Sequence, residues 1–551
     1  MVSPVFSATT PIETLDAPDR GEVFTRRWVV ELILDLCGYT PDRDLASLRI
    51  IEPACGSGAF LGPIIERLAE SAKTFDRDLA STRDAIVAKD LQARNVKLSR
   101  AAARGALSVA GLDPSRASLL ARRWIRQGDF LLDPLPDKPA DLVVGNPPYI
   151  RLEAVPPELS IAYRQACPTM GGRSDVYVGF YERGLSALRN DGVLGFICSD
   201  RWMRNAYGAR LRELIAREWA VDVVLSMTGV DAFEDEVSAY PAITVLRRGR
   251  QEIGPLVADA ASDFDRADAH RLVKVASNRA RTSIKDNFVA ARMPRWFNGR
   301  AGWPHGSPAK LATLAGIEER LPTLEDESTG TRVGIGLASG ADRIFVTNDP
   351  NLVEPERLLP MALVRDIADA RLDWSGHYLV NPWDDGGLVD LAQWPNLKAY
   401  LTAHKAILGR RHTARSGKWH KTIDRVIKGL EQKPKLYLPD FKEALFPVLD
   451  RGQTYPHHNL YWITSDQWDL EVLGGILLSD VANMFISAYS VRMRGGYLRF
   501  QAQYLRRICV PRLDQVDTST RRLLKRAFRS RDHEMATQAV LPLYGLDAVP
   551  A

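Results

Sequence analysis

"LRIIEPACGSGAFLGPIIERLAE", Leu48 to Glu70, joins a short apolar run to a glycine-rich turn and then to an amphipathic stretch. That order predicts a strand, a tight turn and a helix. Gly56 and Gly58 let the backbone turn sharply and approach a bound molecule closely. The alternation continues outward. "AIVAKD" precedes the helical "LQARNVKLSRAAARGAL", and "WIRQGDFLL" and "ADLVVGN" read as two further strands. Helix "VYVGFYERGLSAL", strand "VLGFICS", helix "ARLRELIARE" and strands "VDVVLSM" and "PAITVLRR" follow. Apolar strands alternating with helical periodicity predict an α/β fold, a doubly wound Rossmann-like sheet covered on both faces. Ligands of such sheets bind beyond the carboxyl ends of the strands.

A chain of 551 residues exceeds what one core ordinarily organises. Three segments are expected: a first domain over residues 1–250, a linker or peripheral segment over 251–295, and a mixed α+β domain over 296–551. The middle segment is assigned on the Ala/Asp-rich "VADAASDFDRADAHRL". A hydrophobic fraction of 45% and a charged fraction of 26% exclude disordered and fibrous classes. The net charge of +5 permits a polyanionic partner without requiring one. Cys37, Cys55, Cys167, Cys198 and Cys509 are scattered, with no Cys-x-x-Cys pair, so neither a disulfide framework nor a zinc cluster is expected and a reducing cytoplasm fits. His457-His458 has no nearby Cys and reads as a surface loop rather than a metal ligand pair. The first residues lack the pattern of a signal peptide, and runs such as "VLGGILL" are too short to cross a bilayer, so no membrane association is expected.

Four strand ends carry an acid or an amide. Glu52 stands directly before the glycine turn, where a pyrophosphate would be repelled and the ammonium of a zwitterion would be welcome. The spacing is Gly-x-Gly-x-Phe, not the Gly-x-Gly-x-x-Gly of dinucleotide-binding loops. Together these point to S-adenosylmethionine. Asp90 ends "AIVAKD", a position from which a carboxylate accepts ribose hydroxyls. Asp129 in "QGDF" can accept an adenine amine, with Phe130 lying against the ring. Each acid taken singly reads as a helix cap or solvated residue; their succession at strand ends favours a cofactor site. "DLVVGNPPYIRLE", Asp141 to Glu153, then places Asn-Pro-Pro-Tyr at another strand end.

"EPACGSGAF", "QGDF" and "GNPPYI" in this order resemble the γ-class N6-adenine DNA methyltransferases, the group of the TaqI, Eco57I and PaeR7I modification enzymes. The upstream "GEVFTRRWVVELIL" is similar to that group's N-terminal cofactor motif, with Thr25-Arg26 where Thr-Pro is usual. The resemblance implies cofactor contacts at Thr25, Glu52, Pro53, Ala54, Cys55, Asp90, Asp129 and Pro148. It also implies a chemistry for the remaining motif. The Asn146 side-chain oxygen and the Pro147 carbonyl each accept one N–H of an adenine amine, and Tyr149 stacks on the extruded base. Phe233, in "GVDAFEDEVSAYPAITVL", sits where the group places a second ring, which would close a sandwich on the base. Tyr177 and Phe180 fall at helical spacing and read as core residues that brush the cofactor.

The second domain carries the cationic signal. "HKAILGRRHTARSGKWHKTIDRVIKGLEQKPK" sets many cations against only Asp424 and Glu431, and "YSVRMRGGYLRFQAQYLRR" interleaves Arg with Tyr and Phe. Arg410, Arg411, Arg415, Lys418, Trp419, Lys421, Arg492 and Arg494 are expected to face DNA. The expectation is a monomeric, site-specific adenine methyltransferase acting on double-stranded DNA, with a C-terminal target-recognition domain. A separate restriction endonuclease acting on the same site is a possible partner. Asn-Pro-Pro-Tyr also serves enzymes that methylate protein glutamine amides or guanine N2 of RNA, and these remain the alternative. A fused restriction–modification polypeptide and a non-enzymatic DNA-binding protein are weaker readings.

Overall fold

In the computed structural model, residues 23–234, 240–278, 284–285, 287–297, 299–490 and 498–550 are described. They form two compact units, Met1–Ala312 and Thr313–Ala551.

The first unit is built on one sheet. Strand β1 (Ile50–Glu52) lies parallel between β2 (Ile86–Asp90) and β4 (Ala140–Gly145), with β3 (Ile125–Gln127) beyond β2. On the other side β5 (Leu188–Ser199) runs parallel to β4. Strand β7 (Pro241–Arg248) is inserted antiparallel between β5 and β6 (Trp219–Ser226). The order is β3-β2-β1-β4-β5-β7-β6, continued by β8 (Leu256–Ala260), β10 (Phe288–Arg292) and β9 (Ile284–Lys285). Chain order reverses at β1: the path leaves toward β2 and β3, then returns to the opposite side as β4. The carboxyl ends of β1 and β4 therefore flank the crevice in which doubly wound sheets hold ligands.

Burial follows from the double cover. Leu194 to Ser199 of β5 are all buried. Successive strand residues face opposite sides, so such a run needs packing on both faces. Helices α1 (Arg27–Leu36) and α6 (Tyr177–Ser186) both pack on β5. Helix α2 (Leu61–Thr74) packs on α3 (Ala93–Val109), which packs on α4 (Pro114–Trp124). Further helices are α5 (Pro157–Ala166), the single turn α7 (Arg201–Arg204), α8 (Ala209–Glu218) and α9 (Arg266–Ser277).

Two expectations are corrected. Residues 251–295 are not a linker. They contain β8 (Leu256–Ala260) parallel to β6, helix α9, and β9 (Ile284–Lys285) and β10 (Phe288–Arg292), which extend the sheet antiparallel. The Ala/Asp-rich stretch opens α9, where Asp265 and Asp268 form a reciprocal cap, and Ala269, Leu272 and Val275 of α9 are buried in the core beside α1. The run "WIRQGDFLL" is a strand only at Ile125–Gln127, because Trp124 ends α4.

The second unit is mixed α+β. One antiparallel sheet orders the strands Arg332–Ile335, Leu460–Thr464, Lys435–Pro439 and Val448–Asp450. A second sheet contains Leu358–Ala362, and the helices Leu470–Leu478, Asp480–Tyr489, Thr518–Ser530 and His533–Tyr544 follow near the C-terminus. No single described helix is long and apolar enough to cross a membrane.

Candidate active site

The turn after β1 is held from two sides. The Cys55 amide donates to the Lys89 carbonyl at 2.9 Å, tying the turn to β2. The Gly56 amide donates to Asp90 Oδ2 at 2.9 Å, and Ser99 Oγ of α3 donates to the Gly56 carbonyl at 2.7 Å. Gly56 has φ of 52°, a left-handed conformation that side chains resist. Gly58 has φ of 100°, again a conformation that side chains resist, and a Cβ there would be in ordinary contact with Ser99 of α3.

Beyond the turn lies a cleft of about 1040 Å³, open solvent at its mouth included. Of the cofactor residues expected from sequence, Thr25, Glu52, Pro53, Ala54, Cys55, Gly56, Asp90, Asp129, Phe130 and Pro148 line it, and so does Asn146. Gly58, Pro147, Tyr149 and Phe233 do not. Three carboxylates face the cleft and no Lys, Arg or His is among its described lining residues. Glu52 is 2% exposed, and its Oε2 has no hydrogen-bond partner among the described residues. Burial, reinforced by the charge of Asp90, raises its pKa well above the carboxylate range. Burial likewise raises Asp129, although Tyr163 Oη donates to it at 2.8 Å and the Leu131 amide at 2.9 Å. An acidic, partly desolvated cleft in a chain of net positive charge suits a cationic ligand and repels a pyrophosphate.

Asp90 does more than face the cleft. Besides Gly56, the Gln92 amide donates to its Oδ1 at 2.8 Å and Asn95 Nδ2 at 3.2 Å. Gln92, Asn95, Val155 and Tyr163 are lining residues that the sequence reading missed. Gln92 stands at the N-cap position of α3, two residues after the strand-end acid, and Asn95 lies in that helix's first turn, where such bonding can be anticipated from sequence. Tyr163 lies on α5, 34 residues beyond Asp129, and nothing local marks it. Phe180 is both buried and a lining residue of the cleft, in keeping with a core residue that brushes the cofactor, and it stacks on Phe130 with centroids 5.7 Å apart.

Asn146 follows the last residue of β4. Its Nδ2 donates to the Val23 carbonyl at 2.9 Å and to Thr25 Oγ1 at 3.2 Å. A carbonyl can only accept, so the nitrogen must face Val23 and the oxygen must face away. That oxygen is buried and has no partner among the described residues. The segment holding Val23 and Thr25 is itself pinned, since the Arg26 amide donates to Ala232 O at 3.0 Å and the Glu234 amide to Phe24 O at 2.9 Å. Phe233 thus pairs with Thr25 across a β-bridge. Tyr149 is half-buried, its hydroxyl unpartnered among the described residues. Its ring meets Phe233 at 6.4 Å and 87°, and Tyr177 at 6.2 Å and 80°. The two rings expected to form a sandwich therefore stand perpendicular.

The residues expected to face DNA divide. Arg410, Arg415 and Lys418 are exposed, and Lys421 is half-buried. Arg411 is turned inward: its guanidinium donates to the carbonyls of Leu408, Ser339, Trp419 and Lys421 and lies 5.3 Å from the Phe345 ring. Trp419 packs against the core of its unit, with Lys405 Nζ 5.5 Å from its ring. Both were read as DNA-facing because sequence cannot separate a cation or ring folded back on its own loop from one presented outward. Arg492 and Arg494 lie outside the described residues.

Residues 135–233 match the family model of the Eco57I restriction-modification methylase. The chain is 42% identical to the Type II methyltransferase M.PaeR7I of Pseudomonas aeruginosa, over 99% of this chain and 95% of that protein. It is 40% identical to the Type II methyltransferase M.XhoI of Xanthomonas vasicola, over 96% of this chain and 98% of that protein. Among solved structures it is similar in fold to the Type IIL restriction-modification enzyme MmeI in complex with DNA. There the TM-score is 0.56 at 12% identity, covering 95% of this chain and 74% of that one.

Proposed function

Because the chain belongs to the Type II methyltransferases of restriction–modification systems, we propose that it methylates N6 of an adenine extruded from duplex DNA at a specific site. The methyl donor is S-adenosylmethionine, which when bound supplies an electrophilic methyl group on a sulfonium. The acidic cleft fits that cation. Glu52 holds its ammonium, Asp90 its ribose and Asp129 its adenine amine, with Phe130 against the base.

One observation carries the reading. Asn146 is locked by Val23 and Thr25 with its acceptor oxygen buried and unspent, at the strand end beside the cleft. A buried unpaired acceptor costs about 1–3 kcal/mol, a cost recovered when a donor arrives. An aromatic amine has two N–H donors and a lone pair delocalised into its ring. Asn146 Oδ1 and the Pro147 carbonyl accept one N–H each and draw the nitrogen from planar toward tetrahedral, so that its lone pair localises. The same acceptors stabilise the positive charge that develops on nitrogen as it takes the methyl group, and the surplus N–H proton is lost to solvent after transfer, so no prior deprotonation is required. Adenine N6 cannot reach this geometry inside a duplex, so the base is flipped out. Tyr149 supplies a stacking face worth about 1–3 kcal/mol, and Phe233 holds its edge.

Arg410, Arg415 and Lys418 contact phosphates. The chain works as a monomer in the reducing cytoplasm, consistent with five free, buried cysteines, alongside a separate endonuclease of the same site specificity.

The test is transfer of labelled methyl groups to duplex DNA, with mapping of the modified base. In Asn146→Ala, kcat should fall about 100- to 1,000-fold while cofactor affinity changes far less. Transfer to protein glutamine or to RNA guanine instead of DNA would overturn the substrate assignment. Near-normal kcat in the variant would overturn the mechanism.

A further inference from the structure

The second unit brings together three metal-ligating side chains that the mechanism does not use. Asp342, His457 and His458 each present one ligand atom, and the three atoms lie within 4.8 Å of one another. His457 Nε2 is 3.2 Å from Asp342 Oδ2, and His458 Nδ1 is 4.0 Å from the same oxygen. Two ligands on one tetrahedral ion at bond lengths near 2.0–2.1 Å are themselves about 3.3 Å apart. The first pair already has that spacing, and the second is within an ångström of it.

The cluster is fixed by backbone and by a supporting hydrogen bond. The His457 amide donates to the Ala362 carbonyl at 3.1 Å, and the Leu337 amide to the Pro456 carbonyl at 2.9 Å. Ser339 Oγ donates to Asp342 Oδ1, which leaves Oδ2 turned to both imidazoles. Outer-shell bonds of this kind orient ligating carboxylates. The His457 side chain is only 10% exposed, against the surface loop read from the sequence. His458 Nδ1 is buried with no partner among the described residues, although its ring is 37% exposed. An Asp–His hydrogen bond alone accounts for His457 but leaves that nitrogen idle.

We propose that Asp342 Oδ2, His457 Nε2 and His458 Nδ1 bind one divalent transition-metal ion of the zinc class, with the fourth position open to solvent or an anion. Two nitrogens and one carboxylate oxygen are the donor set of that class. The ion would brace the turn that carries Ser339. The Ser339 carbonyl accepts from Arg411 at 3.0 Å and from the Ile423 amide at 3.3 Å, so the turn also supports the cationic segment. None of these residues lines the methyl-transfer cleft, and the test does not depend on that chemistry.

The experiment is titration of the EDTA-stripped, full-length chain with Co2+, read by visible d–d absorption and by Tm, followed by displacement with Zn2+. The expected result is one saturable Co2+ per chain, a Tm that rises with metal and returns with EDTA, and loss of both responses in Asp342→Asn and His458→Ala. Ser339→Ala should bind about 10-fold more weakly. Circular dichroism shows whether each variant is folded. Should one unfold, the wild-type titration decides by itself. Absence of a saturable equivalent, or equal Co2+ uptake by folded Asp342→Asn and His458→Ala, leaves only an Asp–His hydrogen bond and overturns the site.

Discussion

Glu52 shows how a single side chain trades stability for binding. Its pKa is raised, first by burial and then by Asp90, so the folded state holds the proton more tightly than the unfolded chain. Its contribution favours folding below the ordinary carboxylate pKa and is lost as pH rises through the folded value. Burial makes the ionised form a liability until a cation joins it. Glu52→Gln should therefore raise the Tm of the ligand-free protein, and calorimetry without cofactor checks this. The same substitution should weaken S-adenosylmethionine by about 30-fold or more, roughly 2 kcal/mol for one partner of a desolvated charge pair. Wild-type affinity should fall as pH drops below the raised Glu52 value, while the Gln variant loses that dependence. A flat wild-type profile would remove Glu52 from the ammonium. The place of Glu52 before the glycines was readable from local order. Its orphaned oxygen was not, because that depends on what β4 and the Val23–Thr25 segment leave unfilled.

At the scale of elements, helix starts and strand ends were the most readable features and folded-back loops the least. Helix α4 opens on Asp113-Pro114, with Asp113 Oδ1 accepting from the Ser115 and Arg116 amides at 3.1 Å each. That is a start signal written in two residues, an N-cap carboxylate followed by proline at the first helical position. Asp113→Ala should cost about 1 kcal/mol of stability and leave methyl transfer unchanged, as denaturant unfolding beside an activity assay will show. The cationic segment behaves oppositely. Arg411 and Lys418 look equivalent in sequence, but one is bonded to four carbonyls and the other is exposed. Arg411→Ala should cost about 2–3 kcal/mol of folding stability. Lys418→Ala should leave stability intact and lower the salt slope of DNA affinity by about 1. Reversed outcomes would undo the distinction.

For the whole molecule, the boundary of the first unit is the instructive error. The sheet does not stop at β7: β6 is covered by β8, and α9 packs on α1. A fragment ending at Arg250 should expose the β6 edge and aggregate, whereas one ending at Ala312 should melt cooperatively, a contrast that light scattering and calorimetry can read. An aggregated longer fragment would show that the unit needs residues beyond Ala312. By itself the sequence determined the alternation of strands and helices, the acids at successive strand ends and the Asn-Pro-Pro-Tyr turn, since each is a local pattern of chain geometry and hydropathy. Tertiary structure alone decided that the Asn146 side-chain oxygen is left free, which cations turn outward, that Tyr163 joins Asp129, and that Asp342 meets His457, 115 residues away, with His458 beside it. Those depend on contacts between segments distant in the chain, and no local periodicity encodes which distant partners will meet.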